Sequence, residues 1–312
     1  MMRKIFLFVV AISLIGFVGC DTSPDSIVID TRDGDDGGNN NGGNTNGTGV
    51  DPGKSAVACY PAFEDDELNV ATWNIEWFPN SGNTTVAKVK EIVENLDADI
   101  IAVQEINSPS QFFALASGLD GWEAALADVN YDQDIGYLYK KNAFTSFGTL
   151  TQLFGGDSYN FPRQVVRVDV MHASGLEVTF LNLHLKCCGE DGSSEYNRRK
   201  QASLSLKSYI DANLANKAVI VLGDYNDDIN SSTSAFQNFK DDPNYTFADQ
   251  AVADGSSSNW SYPSWPSHID HILITDELFN KVRNVQTLKP ENCVSSYSST
   301  VSDHRPVLAS FK

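Results

Sequence analysis

The stretch Ala218-Val-Ile-Val-Leu-Gly-Asp-Tyr-Asn226 decides the fold, because an unbroken apolar run leads directly into polar side chains. A short apolar run of this kind predicts a buried strand. Gly223 and Asp224 mark the end of that strand, so the polar residues lie at the rim of a sheet. The same arrangement recurs elsewhere in the chain.

Strand and helix patterns alternate on both sides of this stretch, and no repeat of solenoid length is present. Apolar residues at helical spacing predict a helix that begins at Asn83 or Thr84 and extends to Leu96, and a second helix is predicted over 195–215. The other predicted strands are 68–74, 100–103, 136–139, 165–170, 176–185, 269–274 and 306–311.

Polar residues lie at the ends of these strands. They are Asn74, Glu105, His184, Asp224, Asn226, Asp270, Asp303 and His304. Side chains at several strand ends of stacked sheets converge on one rim, and a buried group of carboxylates is costly unless a cation neutralises it. Oxygen ligands with few thiols favour Mg²⁺, Mn²⁺ or Ca²⁺ over zinc.

The sequence around these residues resembles the endonuclease/exonuclease/phosphatase family, which has the DNase I-like fold. Six matching pieces occur in the family's order across residues 68–312: Thr72-Trp-Asn-Ile-Glu76, Val103-Gln-Glu-Ile106, Asn182-Leu-His-Leu-Lys186, Leu222-Gly-Asp-Tyr-Asn226, Ser267-His-Ile-Asp270 and Ser302-Asp-His-Arg305. The resemblance implies an α/β (α+β) catalytic domain over residues 61–312. Its architecture would be a four-layer αββα sandwich of two mixed β-sheets.

The resemblance also implies a role for each matching residue. Glu105 is the principal metal-binding carboxylate, with Asn74 and Asp303 as its metal-site neighbours. Asp224 and Asn226 orient the attacking water and the phosphate, and His184 lies on the leaving-group side. His304 contacts the phosphate or activates water, and Asp270 orients it. Arg163 and Tyr131 would contact the substrate.

Two features depart from the family pattern. Gln133 replaces the carboxylate that supports the histidine on the leaving-group side, unless Asp132 or Asp134 substitutes for it. The second departure is an insertion over residues 187–192, directly after the strand that carries His184. This insertion could shape the substrate groove.

The chemistry implied is hydrolysis of a phosphodiester with Mg²⁺, or with Mn²⁺ or Ca²⁺, as the cofactor. Two histidines on opposite sides of a phosphate can move protons near pH 7. We therefore expect a monomeric nuclease acting on DNA or RNA, and the alternatives are a lipid or small-molecule phosphoesterase and a surface-binding module without activity.

The amino-acid composition limits the kinds of substrate that the chain can bind. The chain of 312 residues has 22 Lys and Arg against 41 Asp and Glu, a net charge of -19. That is the wrong sign for a protein that holds nucleic acid by basic surface alone, so a polyanionic substrate requires a metal. The acidic charge favours a lipid or small-molecule substrate somewhat. Apolar residues make up 41%, which excludes disorder throughout.

The first residues predict export. Arg3 and Lys4 precede an apolar segment over 5–17, and Gly19-Cys20 follows. Residues 1–19 resemble a bacterial lipoprotein signal peptide, with Cys20 as the lipidated anchor on a membrane; an ordinary secretory peptide is the alternative. Residues 20–60 predict a flexible acidic linker rich in Gly, Asn and Asp.

Four further cysteines suggest two disulfides in an exported chain. Because a bridge between Cys187 and Cys188 would be strained, we expect each of them to bond either Cys59 or Cys293. The alternative, a zinc site, lacks the usual CxxC spacing.

Several aromatic and basic residues have alternative interpretations. The basic triplet 198–200 predicts a solvated helix face, with phosphate contact as the alternative. Trp73, Trp77 and Phe78 are expected in the core. Trp260, Tyr262 and Trp265 lie close to Ser267-His-Ile-Asp270 in sequence, and exposed rings there could stack on substrate.

Overall fold

The described part of this computed structural model comprises residues 59–60, 67–129 and 133–312. The predicted signal peptide, Cys20, Tyr131 and all of the linker except residues 59–60 lie outside it, so those predictions stay predictions. Within the described residues, no helix combines the length and apolar character needed to cross a bilayer.

Strands account for most of the regular structure. They are β1 (Leu68–Phe78), β2 (Ile100–Ile106), β3 (Trp122–Ala127), β4 (Asp134–Lys140), β5 (Phe144–Phe147), β6 (Thr151–Leu153), β7 (Val165–His172), β8 (Glu177–His184), β9 (Val219–Asp224), β10 (Tyr245–Phe247), β11 (Asp270–Thr275), β12 (Val282–Thr287) and β13 (Val307–Phe311). The α-helices are α1 (Asn83–Asn95), α2 (Pro109–Ser117), α3 (Ser194–Asn213), α4 (Gln237–Lys240), α5 (Gln250–Ala253) and α6 (Tyr297–Thr300). Short 3-10 turns cover Lys141–Ala143, Ser257–Asn259, Asp276–Leu278 and Pro290–Asn292.

The strands form two mixed sheets. The first has the order β12-β13-β1-β2-β4-β3, and the second has the order β10-β11-β9-β8-β7-β5 with β6 also paired to β7. Each sheet contains one parallel pair, β1 with β2 and β8 with β9. Parallel neighbours need a crossover connection, and α1 and α3 provide the two crossovers.

Three apolar clusters define the layers. One contains inward-facing residues of both sheets, such as Tyr137 and Phe180, and fills the space between them. A second packs the outer face of the first sheet on α1 and α2, and a third packs the outer face of the second sheet on α3. The predicted four-layer α/β sandwich of two mixed sheets is therefore confirmed.

Strand register brings the polar strand ends together. His184 on β8 pairs with Asp224 on β9, which in turn pairs with Asp270 on β11. Gly223 precedes Asp224 with φ of 146°, and a Cβ there would collide with the Leu183 carbonyl oxygen. A glycine is therefore required for β9 to approach β8 this closely next to Asp224.

The expected disulfide pairing is wrong. Cys59 bonds Cys293, whereas Cys187 and Cys188 are both thiols. The Cα atoms of Cys59 and Cys293 lie 6.3 Å apart, within the range a disulfide spans. Folding has placed Cys187 and Cys188 elsewhere, at the end of β8.

Two predictions of exposure are also wrong. Arg199 is 4% exposed, because α3 turns this member of the basic triplet toward the carboxylate of Asp227. Trp73 and Phe78 are buried as expected, but Trp77 is 51% exposed. Positive φ angles at Glu76 and Trp77 distort β1 there and leave the indole at the surface.

Candidate active site

A cavity of about 770 Å³ opens where β1, β2, β8 and β9 end. Its walls include predicted site residues from both sheets. The lining residues are Glu76, Trp77, Glu105, Gln133, Arg163, His184, Lys186, Cys187, Cys188, Asp224, Asn226, Tyr262, Trp265, Ser267, Ile269, Asp303 and His304.

The side-chain amide of Asn74 bridges the carboxylates of Glu105 and Asp224. The Asn74 Nδ2 atom donates to Glu105 Oε1 and to Asp224 Oδ2, each at 3.1 Å. The Asn74 Oδ1 atom accepts the backbone N–H of Glu76 at 3.0 Å, which fixes the amide orientation. Asn74 therefore orients both carboxylates.

Glu105 is held in a sparsely populated backbone conformation, with φ of 64°. Its Oε2 atom accepts the backbone N–H of Trp77 at 3.1 Å. Non-glycine residues at positive φ often mark sites where geometry is selected over local stability. Glu76, Trp77, Cys188 and Asn226 share this property and also line the cavity.

His304 is oriented by Asp270, as the family resemblance implies. Its Nδ1 atom lies 2.8 Å from Asp270 Oδ2, and its Nε2 atom lies 4.0 Å from Asp224 Oδ2. Burial alone would lower the pKa of His304, but the Asp270, Asp224 and Asp303 carboxylates outweigh it and raise the pKa to about 10. At neutral pH this ring is a cation.

Asp224 lies between the two histidines. Its Oδ1 atom accepts the backbone N–H of Asn226 at 2.9 Å, and the Asn226 side chain donates to the Leu185 carbonyl at 3.2 Å. Burial, followed by the charge of Asp270, raises the pKa of Asp224 to about 7. A carboxylate with this pKa can accept and release a proton near neutral pH.

His184 completes the floor of the cavity, with Nε2 at 3.4 Å from Asp224 Oδ2 and 3.7 Å from Glu105 Oε1. Burial, with a smaller contribution from Arg163, holds its pKa well below the usual range, so the ring is neutral. Its buried Nδ1 atom makes no hydrogen bond within the described residues. Asp134 does not support it, because the Asp134 carboxylate accepts the backbone N–H of Val129 instead.

Glu76 was missed by the motif reasoning. Its Oε2 atom accepts the backbone N–H of Asp303 at 3.1 Å, which joins β1 to the segment carrying His304. Burial and the nearby Asp303 charge raise the pKa of Glu76 to about 7. The available signal was its position two residues after Asn74 in the first family motif.

Aromatic rings surround the mouth of the cavity. Trp265 is 79% exposed, and Trp77 also lines the cavity. The Tyr262 ring lies 4.9 Å from the His304 ring. Trp260 is not among the lining residues. Arg163 and Lys186 are the arginine and the lysine among the lining residues that the structure describes.

A second group of histidine and aspartate does not line the cavity; we call Asp249, His268 and His271 the buried cluster. Asp249 Oδ2 is 3.0 Å from His268 Nε2 and 2.6 Å from His271 Nδ1, and its Oδ1 atom accepts the Ile272 N–H at 2.9 Å. Burial alone would raise the pKa of Asp249, but His271 and His268 outweigh it and lower the pKa.

The outer nitrogens of the buried cluster are also occupied. His271 Nε2 lies 3.0 Å from the Asp227 carbonyl, and His268 Nδ1 accepts the Ser261 N–H at 3.2 Å. Both nitrogens of His271 face acceptors, so the ring carries two protons; Asp249 raises its pKa against the effect of burial.

The structure thus brings together every predicted site residue that it describes: Asn74, Glu105, Arg163, His184, Asp224, Asn226, Asp270, Asp303 and His304. Asp224, Asp270 and His304 place ligand-type atoms within 4.8 Å of one another. Glu105 adds a carboxylate beside Asp224. This donor set, dominated by oxygen, fits a hard divalent cation.

Comparison with known proteins gives one family match. The model of the Endonuclease/Exonuclease/phosphatase family matches residues 71–304, which is well over half of the chain. No curated protein matches the chain.

Solved structures share the fold at low sequence identity. Truncated TDP2 from Caenorhabditis elegans has a TM-score of 0.56 and 18% identity over 78% of this chain and 97% of that one. The 3′ phosphatase NExo from Neisseria, bound to a product DNA hairpin, has a TM-score of 0.58 and 18% identity over 78% and 99%. A mannosyl-6-phosphatase from Bacteroides thetaiotaomicron has a TM-score of 0.56 and 17% identity over 78% and 98%.

Proposed function

The chain belongs to the endonuclease/exonuclease/phosphatase family, whose members are phosphoester hydrolases, and on that basis we propose that it is a divalent-metal-dependent phosphodiesterase that cuts DNA or RNA outside the cytoplasm. One observation carries the proposal. Asp224 lies between His184 at 3.4 Å and His304 at 4.0 Å, with Glu105 beside it, on the floor of an open cavity.

The proposed reaction is in-line attack by water on phosphorus. Asp224, with its raised pKa, accepts a proton from the attacking water, and Asn226 holds the Asp224 carboxylate in place through its backbone N–H. The His304 cation faces the phosphoryl oxygens, where negative charge increases in the transition state. Asp270 keeps that ring oriented.

His184 acts on the opposite side, at the leaving oxygen. Its Nε2 atom faces two carboxylates, so Nε2 carries the hydrogen of the neutral ring. That N–H can donate a hydrogen bond to the departing oxygen as the P–O bond breaks, and the ring keeps its proton. Arg163 and Lys186 also line the cavity and supply positive charge near His184.

Glu105 is the residue that would hold a divalent cation, with Asn74 orienting its carboxylate and Asp303 contributing a further negative charge to the cavity. When bound, such a cation stabilises the charge that develops on the phosphoryl and leaving oxygens. The proposed cation is Mg²⁺, with Mn²⁺ or Ca²⁺ as replacements.

A nucleic acid fits the rim of the cavity. Exposed Trp77 and Trp265 offer flat surfaces on which bases can stack, and Arg163 and Lys186 can contact the backbone. The competing proposal is a lipid or small-molecule phosphoester, which the net charge of -19 favours because it repels long polyanions.

A substrate panel tests the proposal. Purified protein is incubated with plasmid DNA, RNA and sphingomyelin, each with Mg²⁺, Mn²⁺, Ca²⁺ or a chelator. We expect metal-dependent nucleic-acid cleavage that Glu105→Gln reduces by at least about 100-fold. The exposed control Asp254→Asn should cleave at the wild-type rate. Lipid turnover without cut plasmid or RNA would overturn the nuclease proposal.

We also propose that the protein is exported as a monomer and anchored to a bacterial membrane through a lipidated Cys20. The basic and apolar residues before Gly19-Cys20 support this location. Mass spectrometry of the mature protein should find diacyl or triacyl Cys20 as the first residue. An unmodified first residue at another position would contradict the anchor.

A further inference from the structure

We propose that Cys187 and Cys188 form a thiol–disulfide modification site at the mouth of the cavity, whose reactant is a low-molecular-weight disulfide. The chemical part of this proposal stands by itself, and its effect on turnover rests on the proposed phosphodiesterase function. Neither cysteine takes part in the Cys59–Cys293 disulfide.

The two sulfur atoms are unusually close for neighbouring residues. In extended backbone, successive side chains point to opposite faces, which separates adjacent thiols. Here Cys188 has φ of 70°, and this turn brings the two Sγ atoms to 2.9 Å from each other. A left-handed φ is costly for a residue other than glycine, so the surrounding structure must hold it.

A buried arginine holds this backbone. Arg199 Nη1 donates to the carbonyls of Lys186 at 3.0 Å and Cys188 at 2.6 Å, and Nη2 donates to Gly189 at 3.1 Å. Its Nε atom donates to Asp227 Oδ2 at 3.0 Å, in an ion pair where each side chain is 5% exposed. Three carbonyls are thus fixed from one side, which is the support that the Cys188 conformation requires.

The thiols are accessible and close to the proposed chemistry. Cys188 is exposed and Cys187 is half-buried, and both line the cavity. They follow His184 by three and four residues on the continuation of β8. A reagent that enters the cavity mouth can therefore reach them without unfolding the protein.

The reaction balances with two equivalents of thiol and one of disulfide. The Cys188 thiolate attacks a sulfur of oxidised glutathione, forms a mixed disulfide and releases one glutathione thiolate. The Cys187 thiolate then attacks the Cys188 sulfur, closes the bridge and releases the second. Two cysteine thiols are oxidised, one glutathione disulfide is reduced, and the two protons pass to the glutathione thiolates.

Closing the bridge must change the cavity mouth. A disulfide requires an S–S distance of about 2.05 Å, so the sulfurs must approach and the backbone between them must adjust. Arg199 opposes that movement through the Cys188 carbonyl. Because the thiols lie at the rim, we expect oxidation to change KM for a large substrate more than kcat.

To test the proposal, the mature protein is equilibrated in mixtures of reduced and oxidised glutathione. Free thiols are then alkylated, and the peptides are analysed by mass spectrometry. We expect the peptide that contains both cysteines to change from two alkylated thiols to an internal disulfide with no alkyl group. Cys187→Ser should stop at a mixed disulfide with glutathione on Cys188. The Cys59–Cys293 disulfide is the internal control, and it should stay intact.

The kinetic arm compares oxidised and reduced protein on a nucleic acid and on bis(p-nitrophenyl) phosphate. We expect KM for the nucleic acid to change by about threefold or more, and no redox effect in the double variant Cys187→Ser/Cys188→Ser. Failure to form the internal disulfide would overturn the modification site. An internal disulfide with unchanged kinetics would overturn its effect on turnover, whereas loss of all hydrolysis in both redox states would contradict only the proposed function.

Discussion

The active-site group of Asp224, Asp270 and His304 and the buried cluster of Asp249, His268 and His271 use the same residue types at similar separations. In the buried cluster every side-chain nitrogen and oxygen has a hydrogen-bond partner. In the active-site group, one oxygen of Asp270 has no partner among the described residues, and His304 Nε2 faces the cavity.

This difference separates a structural cluster from a reactive one. Histidine and carboxylate lie similarly close in the two groups, so proximity alone does not identify a site. What distinguishes the active-site group is the Oδ1 atom of Asp270, unpartnered among the described residues, together with the position of Asp224 and His304 on the wall of a space that a substrate can enter. A cluster whose atoms are all satisfied by protein stabilises the fold instead.

The largest expected effect comes from replacing His304 by asparagine, which keeps a donor toward Asp270. We expect kcat on a phosphodiester to fall by about 10³-fold, because the cation that faces the phosphate is lost. Steady-state kinetics measures the loss, and thermal unfolding provides the control. A variant with wild-type kcat would remove the basis for separating the two groups.

The second effect concerns stability. Replacing Asp249 by alanine leaves His271 as a buried charge without its partner, and we expect the free energy of unfolding to fall by about 3–5 kcal/mol. The exposed control Asp254→Ala should change it by less than about 0.5 kcal/mol. Urea denaturation measures both variants.

The kcat of the folded Asp249→Ala variant provides a further test of the difference between the active-site group and the buried cluster. Its kcat should stay close to the wild-type value, since Asp249 does not line the cavity. If Asp249→Ala does not fold, Asp249→Asn, which preserves the volume, replaces it. Loss of kcat in a variant that is shown to be folded would contradict a purely structural role.

The smallest expected effect is the pH dependence of the free energy of unfolding that the buried cluster contributes. The pKa of His271 is raised in the folded protein, so its ion pair contributes fully below the unfolded pKa of about 6.5. This contribution is lost as pH rises through the folded pKa. The stability difference between wild type and His271→Gln should therefore shrink from about pH 6 toward alkaline pH. If the difference in unfolding free energy between wild type and His271→Gln were independent of pH, the ion pair between His271 and Asp249 would make no electrostatic contribution to stability.

The residues at the strand ends could be predicted because each lies next to an apolar run in the sequence. His184 and Asp224 end their strands, whereas Asp270 begins β11. The parallel pair β8 and β9 brings two strand ends to one edge, and the antiparallel pair β9 and β11 brings the end of one strand to the start of the other. His184, Asp224 and Asp270 became neighbours for this reason. The family motifs then supplied their chemistry, which periodicity alone does not contain.

The errors concern properties that depend on distant partners. Arg199 is buried because Asp227 and three carbonyl groups receive its guanidinium, and nothing in the basic triplet encodes that. The partner of Cys59 is separated from it by 234 residues. Trp77 lies in an apolar segment, and only the positive φ angles of the folded strand expose it.

The pairing of β1 with β13 has a practical consequence. Leu68 lies opposite Phe311, so the first and last strands are neighbours in one sheet, at the other end of β1 from Asn74. A short linker could join those two ends, and the exposed turn at Gly175, at the far end of β8 from His184, could be opened instead. A circularly permuted chain of this kind would keep the cavity and place both new termini away from it.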